Sequence, residues 1–190
     1  MKLVLFDLDS TLLWTDGAGR RAIHRALVEV LGTAGPIDGF RFDGRTDGEI
    51  VLRLAEGAGL VPTTALVDAV LERYVACLEE ELANPTQRTT VYPGVGALLD
   101  ALDARADCVS GLLTGNVLLG ARLKLASGGI DIAQCDDLKI LGAFERFNMQ
   151  LPPPSSNHPD SNFRHGLIQR NRIVAAAIAD IRTSRRLSDT

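Results

Sequence analysis

The sequence predicts an α/β fold: a parallel sheet as core, with a helical insertion. Three observations predict it. Lys2–Phe6 is a short apolar run ending at an aspartate, too short and too β-branched for a helix. Val109–Leu113 is a second such run, ending at Thr114-Gly115-Asn116 and followed by a helical pattern. Between the two, residues 15–90 read almost entirely as helix. The order strand, helix, strand, helix favours parallel pairing.

The first strand leads directly into Asp7-Leu8-Asp9-Ser10-Thr11-Leu12. Asp7 therefore falls at the carboxyl end of a strand, where open α/β sheets bind ligands. A bend after Asp7 would let Asp7 and Asp9 converge on one bound group. Two carboxylates so placed suit phosphoryl transfer. One can attack phosphorus and split a hard hydrolysis into two easier steps; the other can protonate the leaving oxygen and then deprotonate water. Mg²⁺ prefers oxygen ligands and commonly binds through one or two carboxylates plus phosphate oxygens.

The helical block follows. Asp16 is placed to cap a helix bearing Ile23, Leu27, Val30 and Leu31, with Gly32 as its stop. Asp47 is placed to cap a second, carrying Ile50, Val51, Leu54 and Ala58. A third has Val67, Val70, Leu71, Tyr74 and Leu78 at helical spacing, and Glu79-Glu80-Glu81 reads as a solvated face. Arg20 and Arg21 read as solvent-exposed on the first helix, with the cleft beside Asp7 as the alternative, and His24 reads as structural or exposed. Pro93 marks the start of a helix with Val95, Leu98, Leu99 and Leu102. In the second strand-end motif Thr114 offers a hydroxyl, Gly115 permits close backbone approach, and Asn116 can cap the next helix. A helix start is itself an anion site. Leu118, Leu119, Leu123 and Ala126 form the apolar stripe of that helix, which ends at Gly128-Gly129.

Together the two motifs resemble the haloacid dehalogenase-like hydrolase superfamily over roughly residues 1–145. The resemblance implies a Rossmann-like parallel sheet core, residues 1–14 and 91–145, with an inserted small helical cap, residues 15–90. It implies Asp7 as nucleophile and Asp9 as general acid/base. It also implies Mg²⁺ held by the Asp7 side chain and the Asp9 backbone carbonyl. Thr11, Thr114, Gly115 and Asn116 would form the phosphate pocket. Asp9 matters here: members that cleave carbon–halogen bonds generally lack the second carboxylate, and phosphatases carry it. The loop Phe42-Asp43-Gly44-Arg45-Thr46-Asp47 resembles a Gly-Arg-Thr-Asp loop of phosphoglycolate-phosphatase-like members. By that resemblance Arg45 and Thr46 would meet the substrate, a small phosphomonoester such as phosphoglycolate.

Past about residue 145 the composition changes. Residues 1–145 hold 13 Lys and Arg against 21 Asp and Glu, whereas 146–190 hold seven Arg against three Asp. Pro152-Pro153-Pro154 and several asparagines give residues 150–162 loop composition. The family's third motif, a charge-balancing Lys or Arg, has Lys139, Arg164, Arg170 and Arg172 as candidates. The fourth, an acidic pair completing the metal site, has no good match; Asp180 is a lone remnant, and Asp136-Asp137 come too early. The tail is thus divergent, or belongs to a truncated or frame-altered product. The alternative function is a catalytically impaired fragment acting at most as a binding module.

The rest of the composition excludes more than it assigns. A net charge of −4 offers no nucleic-acid surface. Cys77, Cys108 and Cys135 are odd in number and lack metal-ligand spacing; Cys108 lies in an apolar run and reads as a buried thiol. With no signal-peptide pattern and no membrane-length apolar run, the expected setting is cytoplasmic, with a small phosphorylated metabolite as partner and no membrane.

Overall fold

A computed structural model describes residues 2–130 and 139–142, with side-chain environments through residue 130. These residues fall in one compact unit, Met1–Gly142. A three-stranded parallel sheet forms its floor, in the order β1 (Lys2–Phe6), β4 (Cys108–Thr114), β5 (Lys139–Gly142). β1 pairs with β4 in a register that sets Lys2 beside Cys108 and Phe6 beside Leu112. Both strands thus end at the same edge of the sheet, and Asp7 and Thr114 leave it within two residues of each other. β4 is buried along nearly its whole length, as expected of the middle strand of a parallel sheet. The α/β class read from the sequence is the observed one.

After β1 the chain makes a tight loop. The N–H groups of Thr11, Leu12 and Leu13 all donate to the Leu8 carbonyl, at 3.0–3.3 Å. Ser10 takes φ 63° to close this loop, a left-handed conformation costing a non-glycine residue on the order of 1 kcal/mol. Leu8, Leu12 and Leu13 hold it down by full burial, while Asp7, Ser10 and Thr11 face solvent. Alternation of leucine with polar residues is what turns Asp7 outward. A second, two-stranded antiparallel ribbon pairs β2 (Leu13–Trp14) with β3 (Thr90–Val91). It joins the two ends of the helical stretch.

That stretch holds α1 (Ala18–Leu31), a 3-10 turn (Ile37–Gly39), α2 (Asp47–Gly57) and α3 (Thr64–Ala83). Ile23, Leu27, Leu54, Val70, Tyr74 and Leu78 form its buried cluster. A separate cluster of Leu8, Leu12, Leu13, Val95, Leu99, Leu112, Ala121 and Leu125 packs over the sheet. The acidic run closing α3 is not simply solvated. Glu81 pairs with Arg21 at 2.8 Å, and Glu80 pairs with Arg25, so α1 and α3 are tied by charge as well as by packing. Gly32, in the left-handed region, stops α1 as predicted.

Three expected caps are corrected. The N-cap of α1 is Gly17, in the left-handed region and making no side-chain cap; Asp16, with φ 47°, is exposed. Thr46, not Asp47, caps α2, its hydroxyl accepting the Glu49 N–H at 3.2 Å. Asn116 does not cap α5 (Leu118–Ser127), whose N-cap is Val117. The last two residues have partners far away in sequence, and that is where the site lies. α4 (Val95–Asp103) buries Val95 and Leu99 as expected, but Leu98 is exposed. The stripe predicted for α5 is also corrected. Its buried residues are Gly120, Ala121, Lys124 and Leu125, and Leu119 is exposed.

Candidate active site

Asp7 is exposed at the tip of β1, and its Oδ1 accepts the Leu8 N–H at 2.9 Å. Two residues on, the partly buried Asp9 carboxylate is bound from the other strand's loop. Asn116 Nδ2 donates to Asp9 Oδ2 at 2.7 Å. The same amide donates to Thr114 Oγ1 at 2.7 Å, and the Asn116 backbone N–H donates to that hydroxyl at 3.2 Å. The two strand-end motifs, 107 residues apart in sequence, therefore meet in one hydrogen-bonded group. Thr11 lies on the outer, exposed side of the loop.

The sequence reading missed a central member of this group. Lys124, 5% exposed, donates from Nζ to both Asp9 oxygens at 2.9 Å and to Asn116 Oδ1 at 2.6 Å. Gly19 leaves room for the ammonium: a Cβ there would stand 3.3 Å from Nζ. A buried ammonium needs a paired anion and filled hydrogen bonds, and Asp9 and Asn116 supply both. The detectable signal is a lysine two turns past Asn116, behind the small pair Gly120-Ala121.

Asp47 stands beside this cluster. It is buried, its Oδ2 accepts the Val117 N–H at 2.8 Å, and its own N–H donates to the Gly115 carbonyl at 2.8 Å. Burial raises its carboxyl pKa from 3.8 to about 6; Lys124 and the Val117 N–H pull the other way, and Asp9 adds to the rise. Burial likewise pushes the Tyr74 hydroxyl up. Because Asp47's folded pKa lies above its unfolded value, the fold favours its protonated form. Its contribution to stability is largest below pH 3.8 and is lost as pH rises through 6. On going from pH 4 to 6.5, the wild type should lose more unfolding free energy than Asp47→Asn, by on the order of 2–3 kcal/mol. Paired urea titrations at the two pH values measure it.

Arg45 and Thr46 are engaged within their own loop. Arg45 pairs with Glu49, donates to the Arg41 carbonyl at 3.1 Å and lies 5.2 Å over the Phe40 ring. Thr46 caps α2. Arg20 binds the Ile37 carbonyl at 2.6 Å and covers the Phe42 ring.

A family model described as haloacid dehalogenase-like hydrolase matches residues 4–158. The chain belongs to the haloacid dehalogenase-like hydrolase family. Solved structures share its fold. A hydrolase from Pseudomonas syringae aligns with TM-score 0.58 and 19% identity, over 90% of this chain and 70% of that one. A predicted phosphoglycolate phosphatase from Haemophilus somnus 129pt aligns with TM-score 0.51 and 20% identity, over 86% and 69%. A variant of CbbY from Rhodobacter sphaeroides, in complex with xylulose-(1,5)bisphosphate, aligns with TM-score 0.53 and 18% identity, over 90% and 73%. At these identities the likeness is one of fold. No curated protein matches.

Within this hydrolase, Lys139 lies in β5, and Arg164, Arg170, Arg172, Asp136, Asp137 and Asp180 lie outside the described residues. Cys77 and Cys108 are buried free thiols, and Cys135 is outside the described residues. No helix among the described residues is long and apolar enough to cross a membrane.

Proposed function

We propose that the chain is a Mg²⁺-dependent phosphatase of small phosphomonoesters, working through an aspartyl-phosphate on Asp7. The observation that supports this most is the joining of the two strand-end motifs. Asp9 is bonded to Asn116, Asn116 to Thr114, and Asp7 stands exposed at the adjoining strand tip. In this reading Asp9, paired to Lys124 as a carboxylate in the free protein, takes up a proton as substrate binds. An Asp7 oxygen attacks phosphorus as the P–O bond to the alcohol breaks, and Asp9 gives that proton to the departing oxygen. Asp9 then takes a proton from water, which attacks the aspartyl-phosphate and releases inorganic phosphate. Thr114, the Gly115 loop and Asn116 hold the phosphoryl oxygens, with Thr11 at the pocket's outer side. Lys124, bound to Asp9 and Asn116, joins Lys139 and the tail arginines as a candidate for the charge-balancing place.

The donor set suits a hard cation in part. The Asp7 carboxylate and the Asp9 backbone carbonyl offer two oxygens, and among the described residues no three acidic, His or Cys side chains gather as a full metal set. Mg²⁺ accepts this economy, since it commonly keeps water and phosphate oxygens around one or two carboxylates. Bound there, it would offset charge on the transferring phosphoryl. Residues 15–90 then act as a cap over residues 1–14 and 91–145, with Arg45 and Thr46 contributing to substrate choice. For phosphoglycolate, Arg45 would exchange Glu49 for the substrate's carboxylate, a bidentate match for its guanidinium.

Phosphate release from phosphoglycolate, other small phosphomonoesters and p-nitrophenyl phosphate, with Mg²⁺ titrated and then removed by EDTA, tests the proposal. The expected result is saturable, EDTA-sensitive release, with phosphoglycolate among the better substrates. Release indifferent to EDTA, or none, overturns it.

A further inference from the structure

We propose that Asp47 is a positioning residue that fastens the Thr114–Val117 loop to the start of α2, and so aims the phosphate-holding groups. This rests on the phosphatase reading for its catalytic consequence, though not for the contact itself. The fastening is made at two points. The Asp47 carboxylate accepts the Val117 N–H and the Asp47 N–H donates to the Gly115 carbonyl, both at 2.8 Å. The two bonds bracket Asn116, whose amide joins Thr114 to Asp9.

Contact between the two loops is close enough to select for residue size. A Cβ built on Gly115 would overlap the Arg45 carbonyl oxygen and stand 3.1 Å from the Thr46 Cα. Any side chain at 115 would push the loops apart. The glycine that the sequence offers for approach of a phosphate thus also admits the backbone of the Gly-Arg-Thr-Asp segment. Asp47 has been drawn away from the local duty that its position suggests. Thr46 caps α2, which frees Asp47 to reach a donor 70 residues on, at the start of a helix with no side-chain cap of its own. Burying a carboxylate here is costly unless it accepts hydrogen bonds, so the Val117 contact holds both loops in place. Movement of α2 would be transmitted to Thr114 and Asn116 through these two bonds.

The test compares wild type, Asp47→Asn and Asp47→Ala. Asn keeps an oxygen acceptor for Val117; Ala does not. Amide hydrogen exchange at Val117 should speed up at least tenfold in Asp47→Ala and stay within about threefold of wild type in Asp47→Asn. With p-nitrophenyl phosphate and Mg²⁺, Asp47→Ala should lose about 10–100-fold in kcat, as misplacement near 1 Å predicts. Inhibition by inorganic phosphate should weaken in step, and Asn should restore both. Unchanged Val117 exchange in a folded Asp47→Ala, or an Asn variant as impaired as Ala, overturns the proposal. If Asp47→Ala does not fold, Gly115→Ala attacks the same contact from the other loop and should give the same exchange and kinetic pattern; wild-type behaviour there overturns it. Should the wild type show no Mg²⁺-dependent turnover, the phosphatase reading fails. The fastening is then decided by Val117 exchange alone.

Discussion

Asp7→Asn should abolish turnover and leave the fold intact. The amide is close to isosteric, and its oxygen can still accept the Leu8 N–H that Asp7 Oδ1 accepts now. The side chain is exposed at the strand tip, where substitutions generally change stability by no more than about 0.5 kcal/mol. The chemistry has no such tolerance, because an amide oxygen is a poor nucleophile and cannot carry the covalent phosphoryl in its place. Loss of a nucleophile that works together with an acid/base partner is typically on the order of 10⁴-fold or more in kcat. Phosphate release under saturating Mg²⁺, beside thermal unfolding of both proteins, makes the measurement. A variant that turns over at the wild-type rate would remove Asp7 from the mechanism, and the aspartyl-phosphate with it.

How far the sequence carried the structure depends on whether a residue's partner was near or far in the chain. Lys2–Phe6 was legible because a short apolar run ending in Asp has few other ways to fold, and β1 has those bounds. Val67, Val70, Leu71, Tyr74 and Leu78 were legible because an amphipathic stripe on a long helix has one natural face, and all five are buried. The caps were misread for the converse reason. Asp47 and Asn116 are the residue types that cap helices locally, but each is claimed by a distant group: Asp47 by Val117, and Asn116 by Asp9 and Lys124.

α5 shows a further limit. It packs between two clusters: Val117 and Leu123 approach the helical one, and Ala121 and Leu125 the one over the sheet. A helix buried on two sides has no single stripe. Leu119 and Ala126, on the expected stripe, are therefore exposed, while Lys124, off it, is buried. The resemblance put Thr114 and Asn116 in one pocket with the two aspartates, and parallel strands in register deliver their carboxyl ends to one edge; the direct bond from Asn116 to Asp9 was not among the expectations.

Lys124→Met should cost both stability and activity, and the way it does so discriminates among roles. Methionine fills similar volume, so packing beside Gly19 is kept in large part. What disappears is the ammionium charge that binds both Asp9 oxygens and the Asn116 amide oxygen. Asp9's side chain is 38% exposed, so water can partly replace the lost partner, and the stability cost should be held to about 1–3 kcal/mol. Asp47 has no such recourse, because it is buried and Lys124 is the nearby charge that favours its ionised form. Most of the destabilisation should therefore depend on Asp47. In an Asp47→Asn background the same Lys124→Met change should cost less, with a coupling of about 0.5–3 kcal/mol between the two sites.

Catalytic loss is expected at about 10²–10³-fold in kcat, the size seen when one preorganised electrostatic donor is taken from an active site. Lys124→Arg should restore little of it. The ammonium fits beneath Gly19, where a Cβ would stand 3.3 Å from Nζ, and the broader guanidinium fork has no room to bind Asp9 from there. Urea titrations of the four proteins in the cycle, together with their kinetics, supply every quantity needed. Strict additivity in stability would separate Lys124 from Asp47, and full activity in Lys124→Met would leave the lysine a purely structural charge.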